Sequence, residues 1–212
     1  VPVVKVGEDE VILGIDYYDS QITARLAPDG RRLGGTWRKK ARGAEWTQME
    51  FHATAGRQPR FIVDHETATY LRGLLDGQWR VDFSSSDQPA VGLFEARPDH
   101  TATGTFMTNT GDYRYLAGTF DGRDLKLSTF DGAHAFLFKA ELKPDGTLAG
   151  DFWSRDKWHE TWTAQRADGF TLPDPFAMTE AVGPVRLAAL NLPDVDGTLR
   201  SLADPEFAGK AM

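Results

Sequence analysis

Short apolar runs alternating with turn residues organise the chain from residue 78 to residue 165. The pattern predicts strands over 78–83, 90–96, 101–108, 113–120, 124–130, 134–142, 147–153 and 158–165, spaced as in a β-barrel or a β-sandwich. Asp121-Gly122 and Asp131-Gly132 read as tight hairpin turns, because glycine supplies the positive φ such turns require. Pro144-Asp145-Gly146 and Thr110-Gly111-Asp112 mark looser corners. No gap between these runs has room for a crossover helix, so neighbours in sequence are predicted to be antiparallel neighbours in space. Closure would remove the two exposed edges of such a sheet. The expected fold is therefore all-β: an antiparallel up-and-down meander closing into a barrel, with a sandwich as the alternative.

The flanking segments are read from the same signals. Residues 1–64 are predicted to form extra N-terminal hairpins, with about four strands between 10 and 54. Ala24-Arg25-Leu26-Ala27-Pro28-Asp29-Gly30 followed by Leu33-Gly34-Gly35-Thr36-Trp37 parallels Ala140-Glu141-Leu142-Lys143-Pro144-Asp145-Gly146 followed by Leu148-Ala149-Gly150-Asp151-Phe152. This reads as one hairpin unit used twice, or as two hairpins sharing common turn chemistry. Residues 65–77, with Glu66, Thr67, Ala68, Tyr70, Leu71, Leu74 and Leu75, have the only helical character, suited to a short amphipathic turn or helix, and are assigned as a connector. The barrel meander covers 78–166. Pro173, Pro175, Gly183 and Pro184 mark 167–188 as a linker, which leaves 189–212 as an extended C-terminal tail.

Gly77-Gln78-Trp79 and Thr103-Gly104-Thr105-Phe106 resemble the Gly-x-Trp and Thr-Gly-Thr signatures of calycin barrels such as avidins and lipocalins. That resemblance implies a calycin-like β-barrel, whose mouth would take a small apolar or aromatic ligand. The side chains expected to line it are Trp79, Tyr113, Tyr115, Phe136, Trp158 and Trp162. On the last strand, the period of two puts Trp158, Glu160 and Trp162 on one face and His159, Thr161 and Thr163 on the other. Aromatic area is costly to leave wet, which favours the first face as the interior. A buried Glu160 then needs a donor; Arg114 and His134 are the candidates, with Arg114 preferred for its two-pronged grip. The same trio, Arg114, His134 and Glu160, would be the basis of any hydrolase or isomerase chemistry. Asp131 reads only as the first residue of an Asp-Gly turn.

Charge and composition exclude more than they assign. A net charge of −7 argues against a nucleic-acid partner. No apolar run is long enough to span a membrane. The absence of cysteine rules out a disulfide scaffold and a thiolate zinc site. His159-Glu160 lacks the second histidine of a zincin helix, since residue 163 is Thr163. No metal or cofactor is expected.

The tail carries a second resemblance. Leu190-Asn191-Leu192-Pro193-Asp194-Val195-Asp196-Gly197, then Ser201-Leu202-Ala203-Asp204-Pro205 and Phe207-Ala208-Gly209-Lys210, resembles the opening of the thioredoxin-like domain in TlpA-like and AhpC/TSA-type thiol-disulfide oxidoreductases. Gly111–Leu116, Ser128–Phe138 and Gly150–Trp162 likewise resemble the domain that precedes the thioredoxin fold in some TlpA-like proteins. These resemblances imply a non-catalytic accessory domain in an extracytoplasmic redox protein. It would precede a thioredoxin-like domain and position that domain or its protein partner. The opening at Val1 rather than Met fits a leader or tag that has been removed.

Overall fold

The computed structural model describes residues 3–40, 45–71, 73–174, 176, 191–201 and 203–207. The chain divides into two units, Val1–Leu172 and Pro173–Met212. In the first unit, nine strands follow a five-stranded sheet: β6 (Gly77–Phe83), β7 (Ala90–Ala96), β8 (Thr101–Thr108), β9 (Gly111–Asp112), β10 (Leu116–Phe120), β11 (Asp124–Phe130), β12 (Ala135–Leu142), β13 (Leu148–Ser154) and β14 (Trp158–Arg166). Each pairs antiparallel with its neighbour in sequence, apart from β9 and β10. The cylinder closes where β14 pairs with β6 and β10 pairs with β8, giving an eight-stranded antiparallel barrel with β9 as a spur. The expected closed meander is therefore the observed one, and its shape is that of a calycin-like barrel.

Inward positions alternate with outward ones as the strand period requires. Phe83, Phe94, Phe106, Phe120, Phe138, Phe152, Trp79 and Trp162 fill the interior, together with Leu116, Leu125, Leu127 and Leu148. One short pattern recurs in the lining. Leu116-Ala117-Gly118-Thr119-Phe120 and Leu148-Ala149-Gly150-Asp151-Phe152 each point a leucine and an aromatic inward with a glycine between them on the same face. A Cβ on Gly118 would collide with the carbonyl oxygen of Lys126, and one on Gly150 with that of Lys139. Glycine is what lets adjacent strands approach this closely in a tightly coiled wall.

The N-terminal residues form a separate open sheet of five strands: β1 (Val3–Val6), β2 (Glu10–Ile15), β3 (Ser20–Leu26), β4 (Arg32–Lys40) and β5 (Trp46–Thr54). The first of these was not expected from sequence; it is only four residues long, Lys5 among three valines, and largely exposed. The two parallel segments share one cross-strand arrangement. Gly35 faces Ala24 across β3–β4, and Gly150 faces Ala140 across β12–β13. A Cβ on Gly35 would again strike a neighbouring carbonyl, that of Thr23. Trp37 anchors this sheet through a hydrogen bond to Ser20 Oγ (2.7 Å), and its ring meets Phe130 of the barrel edge-on at 5.2 Å. Lys39 Nζ donates to the Ala133 carbonyl at 3.1 Å. The sheet thus lies against the barrel end that carries the β11–β12 turn.

Among the described residues of 65–76, the chain takes the turn alternative and not the helix. Their polar groups bond elsewhere: the Thr69 amide donates to the Asp121 carbonyl, and the Gly73 and Leu74 carbonyls accept from Arg166. β-branched Thr67 and Thr69 and the positive φ of Gly73 work against a continuous helix. The segment stoppers one end of the barrel with Leu75, whose carbonyl accepts from Trp79 Nε1 at 2.9 Å. In the second unit, β15 (Asn191–Pro193) pairs antiparallel with β16 (Leu199–Ser201), and Leu192 and Leu199 are exposed. Of the apolar residues singled out in the tail, Leu190 and Leu202 lie outside the described residues, as does most of the linker.

Candidate functional site

With one end stoppered, the other forms a mouth. It opens a cavity of about 600 Å³ lined by Ser85, Thr108, Thr110, Gly111, Asp112, Tyr113, Phe136, Phe152, Ser154, Arg155, Trp158 and Glu160. Alternation along β14 creates its depth. Trp158 is 50% exposed at the rim, Glu160 is 7% exposed two residues in, and Trp162 is buried below them. The expected interior face of this strand is the observed one.

Glu160 is held by groups that sequence reading did not single out. Its Oε2 accepts from the Ser85 amide at 3.2 Å and from the Ser85 hydroxyl, while Oε1 accepts from Trp158 Nε1 at 3.1 Å. Among the described residues, no cationic side chain reaches ion-pair distance of this carboxylate. The expected Arg114 and His134 partners are engaged elsewhere. Arg114 Nε lies 3.2 Å from Asp131 Oδ2, and His134 Nδ1 lies 2.9 Å from the same oxygen. Asp131, expected to be an ordinary turn residue, is thus the hub of a second cluster. Burial works to raise its carboxyl, but the His134 side chain and the Ala133 and His134 amides outweigh that and hold its pKa below the usual aspartate range. The trio Arg114, His134 and Glu160 does not form a mutually bonded group.

One backbone feature re-sorts the tyrosines. The strand expected over 113–120 is broken at Arg114, whose φ of +66° is left-handed, with its amide donating to Asp112 Oδ1 at 2.9 Å. On a continuous strand Tyr113 and Tyr115 would share a face. Here Tyr113 turns inward, its ring among Phe83, Phe106, Phe136, Phe138 and Phe152, whereas Tyr115 is 95% exposed and lies along an outer depression with Leu93 and Thr103. Burial, and then the charge of Glu160, raise the pKa of the Tyr113 phenol, so it remains a neutral donor near that carboxylate. Trp79 sits at the stoppered end and Trp162 in the packed interior, so neither lines the mouth. Of the nine side chains expected at the site, Tyr113, Phe136, Trp158 and Glu160 converge on the cavity, and Arg114 and His134 flank it through Asp131. Ser85 and Arg155 were missed. The run Ser84-Ser85-Ser86 between two strands was the available signal for Ser85.

Because Glu160 faces neutral donors, removing it strands no buried cation. Glu160→Ala is expected to cost about 1–3 kcal/mol, the range for orphaned buried donors, rather than the larger loss that follows breaking a buried ion pair. A urea titration reads the difference.

His159 points outward, bonded to Asp151 Oδ1 at 2.7 Å and stacked on Trp153. Among the described residues, no three His, Asp or Glu side chains converge as a metal-binding group. No helix there is long and apolar enough to cross a membrane. Comparisons of the chain with protein-family models, curated proteins and solved structures return no match.

Proposed function

We propose that the barrel is a small-ligand binding module whose mouth receives a positively charged, aromatic or apolar molecule, with the cation directed at Glu160. The observation that carries this reading is a nearly buried carboxylate, paired among the described residues with neutral donors alone, beneath an aromatic-walled cavity. Desolvating a carboxylate costs several kcal/mol, and a ligand ammonium would offset that cost where no cation of the described residues reaches it. Tyr113, Phe136, Phe152 and Trp158 give the rest of the ligand apolar and π surface. Phenethylamine is a suitable probe. At a hundredfold excess over its Kd it should stabilise the protein by about 2.7 kcal/mol, a rise of several degrees in Tm. Phenylacetate should not reproduce the shift, and Glu160→Gln should abolish it. No shift with the amine, or an equal shift in the variant, would overturn the reading.

A second reading addresses the setting of the barrel. It is that of an accessory domain in an extracytoplasmic, TlpA-like thiol-disulfide oxidoreductase, placed ahead of a thioredoxin-like domain and serving that domain or its redox partner. It is supported by the Pro-Asp-x-Asp-Gly and Phe-x-Gly-Lys pattern of the tail and by the division of the chain after Leu172. The chain has no cysteine, so alone it is expected not to accelerate reduction of insulin by dithiothreitol, since exchange requires a thiolate. Acceleration would count against this reading.

A further inference from the structure

We propose that the ligand of the mouth is zwitterionic, an α-amino acid with an aromatic or large apolar side chain, and that Arg155 binds its carboxylate while Glu160 binds its ammonium. This rests on the reading of the mouth as a cation-accepting site and specifies the other end of the molecule.

Arg155 lies on the β13–β14 hairpin that also carries Glu160. Across that hairpin Glu160 faces Phe152 and Trp158 faces Ser154, so the two registers are about 7 Å apart along the strand, and Arg155 follows directly after Ser154. Both residues line the one cavity. The Arg155 backbone is left-handed, with φ +59°, and its amide is tied to the Ala135 carbonyl at 2.8 Å, which fixes where the side chain starts. Such backbone is uncommon for a non-glycine residue, and is retained where the surroundings over-determine it.

The charge around Arg155 points to an anion. Among the described residues its guanidinium has no carboxylate partner, although the chain as a whole carries a net −7. Lys39 reaches this end of the barrel from the N-terminal sheet; burial, then repulsion from Arg155, lowers its pKa. The acid beside these cations, Asp131, is already shared by Arg114 and His134. With Asp112 and Asp131 counted against Arg114, Arg155 and Lys39, one rim of the mouth keeps a positive excess, while its floor holds a carboxylate that no cation of the described residues reaches. Opposed charges separated across a small, aromatic-walled space match the head group of an amino acid. The walls formed by Tyr113, Phe136, Phe152 and Trp158 match its side chain.

Calorimetric titration of the whole chain with L-phenylalanine, L-phenylalaninamide and 3-phenylpropionate tests this. The amide keeps the ammonium and loses the carboxylate; the propionate does the reverse. L-phenylalanine should bind about tenfold or more tightly than its amide, the scale of one charge-assisted bidentate contact. Arg155→Asn, chosen because asparagine tolerates left-handed backbone, should erase that advantage while leaving the amide within about twofold. Lys39→Gln, outside the hairpin, should weaken the amino acid selectively and by less. Equal affinity for acid and amide in the wild type, or an advantage that survives Arg155→Asn, overturns the zwitterion assignment and leaves the cation site standing. Failure of both amine-bearing probes to bind overturns the cation site and the assignment together.

Discussion

Phe138→Ala is expected to lower the free energy of unfolding by about 3–5 kcal/mol, the cost of removing a large aromatic from a packed core. Phe138 is fully buried, and its ring stacks at 4.4 Å on both Phe106 and Phe152. It also meets Phe83, Tyr113 and Trp162 edge-on, so these contacts span several strands of the wall. Truncation leaves a void that a closed cylinder cannot collapse, because its circumference is fixed by the hydrogen-bond register. Equilibrium unfolding in urea, followed by tryptophan fluorescence and far-UV circular dichroism, checks the figure. A loss under about 1 kcal/mol, the size of an ordinary surface change, would mean that the aromatic stack does not hold the barrel together.

Gly150→Ala is the second large effect, expected to cost about 3 kcal/mol or more because strain beyond ordinary overpacking is involved. The obstacle is the main-chain carbonyl of Lys139, which cannot swing aside as a side chain can. One of the paired strands must shift, and the rungs on either side, Leu148–Leu142 and Phe152–Phe138, shift with it. Gly146, in the turn of the same hairpin, is the control. Its φ is +82° and open space surrounds it, so alanine there meets only the left-handed penalty of about 1–2 kcal/mol. Reversal of that order would show that glycine serves strand conformation here rather than strand approach.

These expectations show what a linear reading can reach. The eight barrel strands follow from alternation and from the Asp-Gly and Pro-Asp-Gly turns, all local signals, and closure follows from the need to hide two edges. The burial of Glu160 between Trp158 and Trp162 is equally local, since a period of two fixes a shared face. Its partner is not local: Ser85 is 75 residues away in sequence and reaches Glu160 through the closing β14–β6 pairing, which chain order alone does not supply. Arg114 is the preferred partner of Glu160 on the strength of its two-pronged grip, yet its left-handed backbone places it beside Asp131. The same local break separates Tyr113 from Tyr115, and periodicity has no means of registering it. Residues 65–77 show apolar spacing suited to a helix, but the barrel needs a stopper, and Arg166 and Asp121 take up their backbone groups.

The central claim is that a ligand cation meets Glu160 in the mouth. The most direct measurement is a proton–nitrogen correlation spectrum of the six tryptophan indoles during titration with phenethylamine. The Trp158 indole donates to Glu160 Oε1, so its signal should move and saturate as the ammonium competes for that carboxylate. The Trp79 indole, bonded to the Leu75 carbonyl at the stoppered end, should stay in place. A stationary Trp158 signal, or equal drift of both, would contradict the claim.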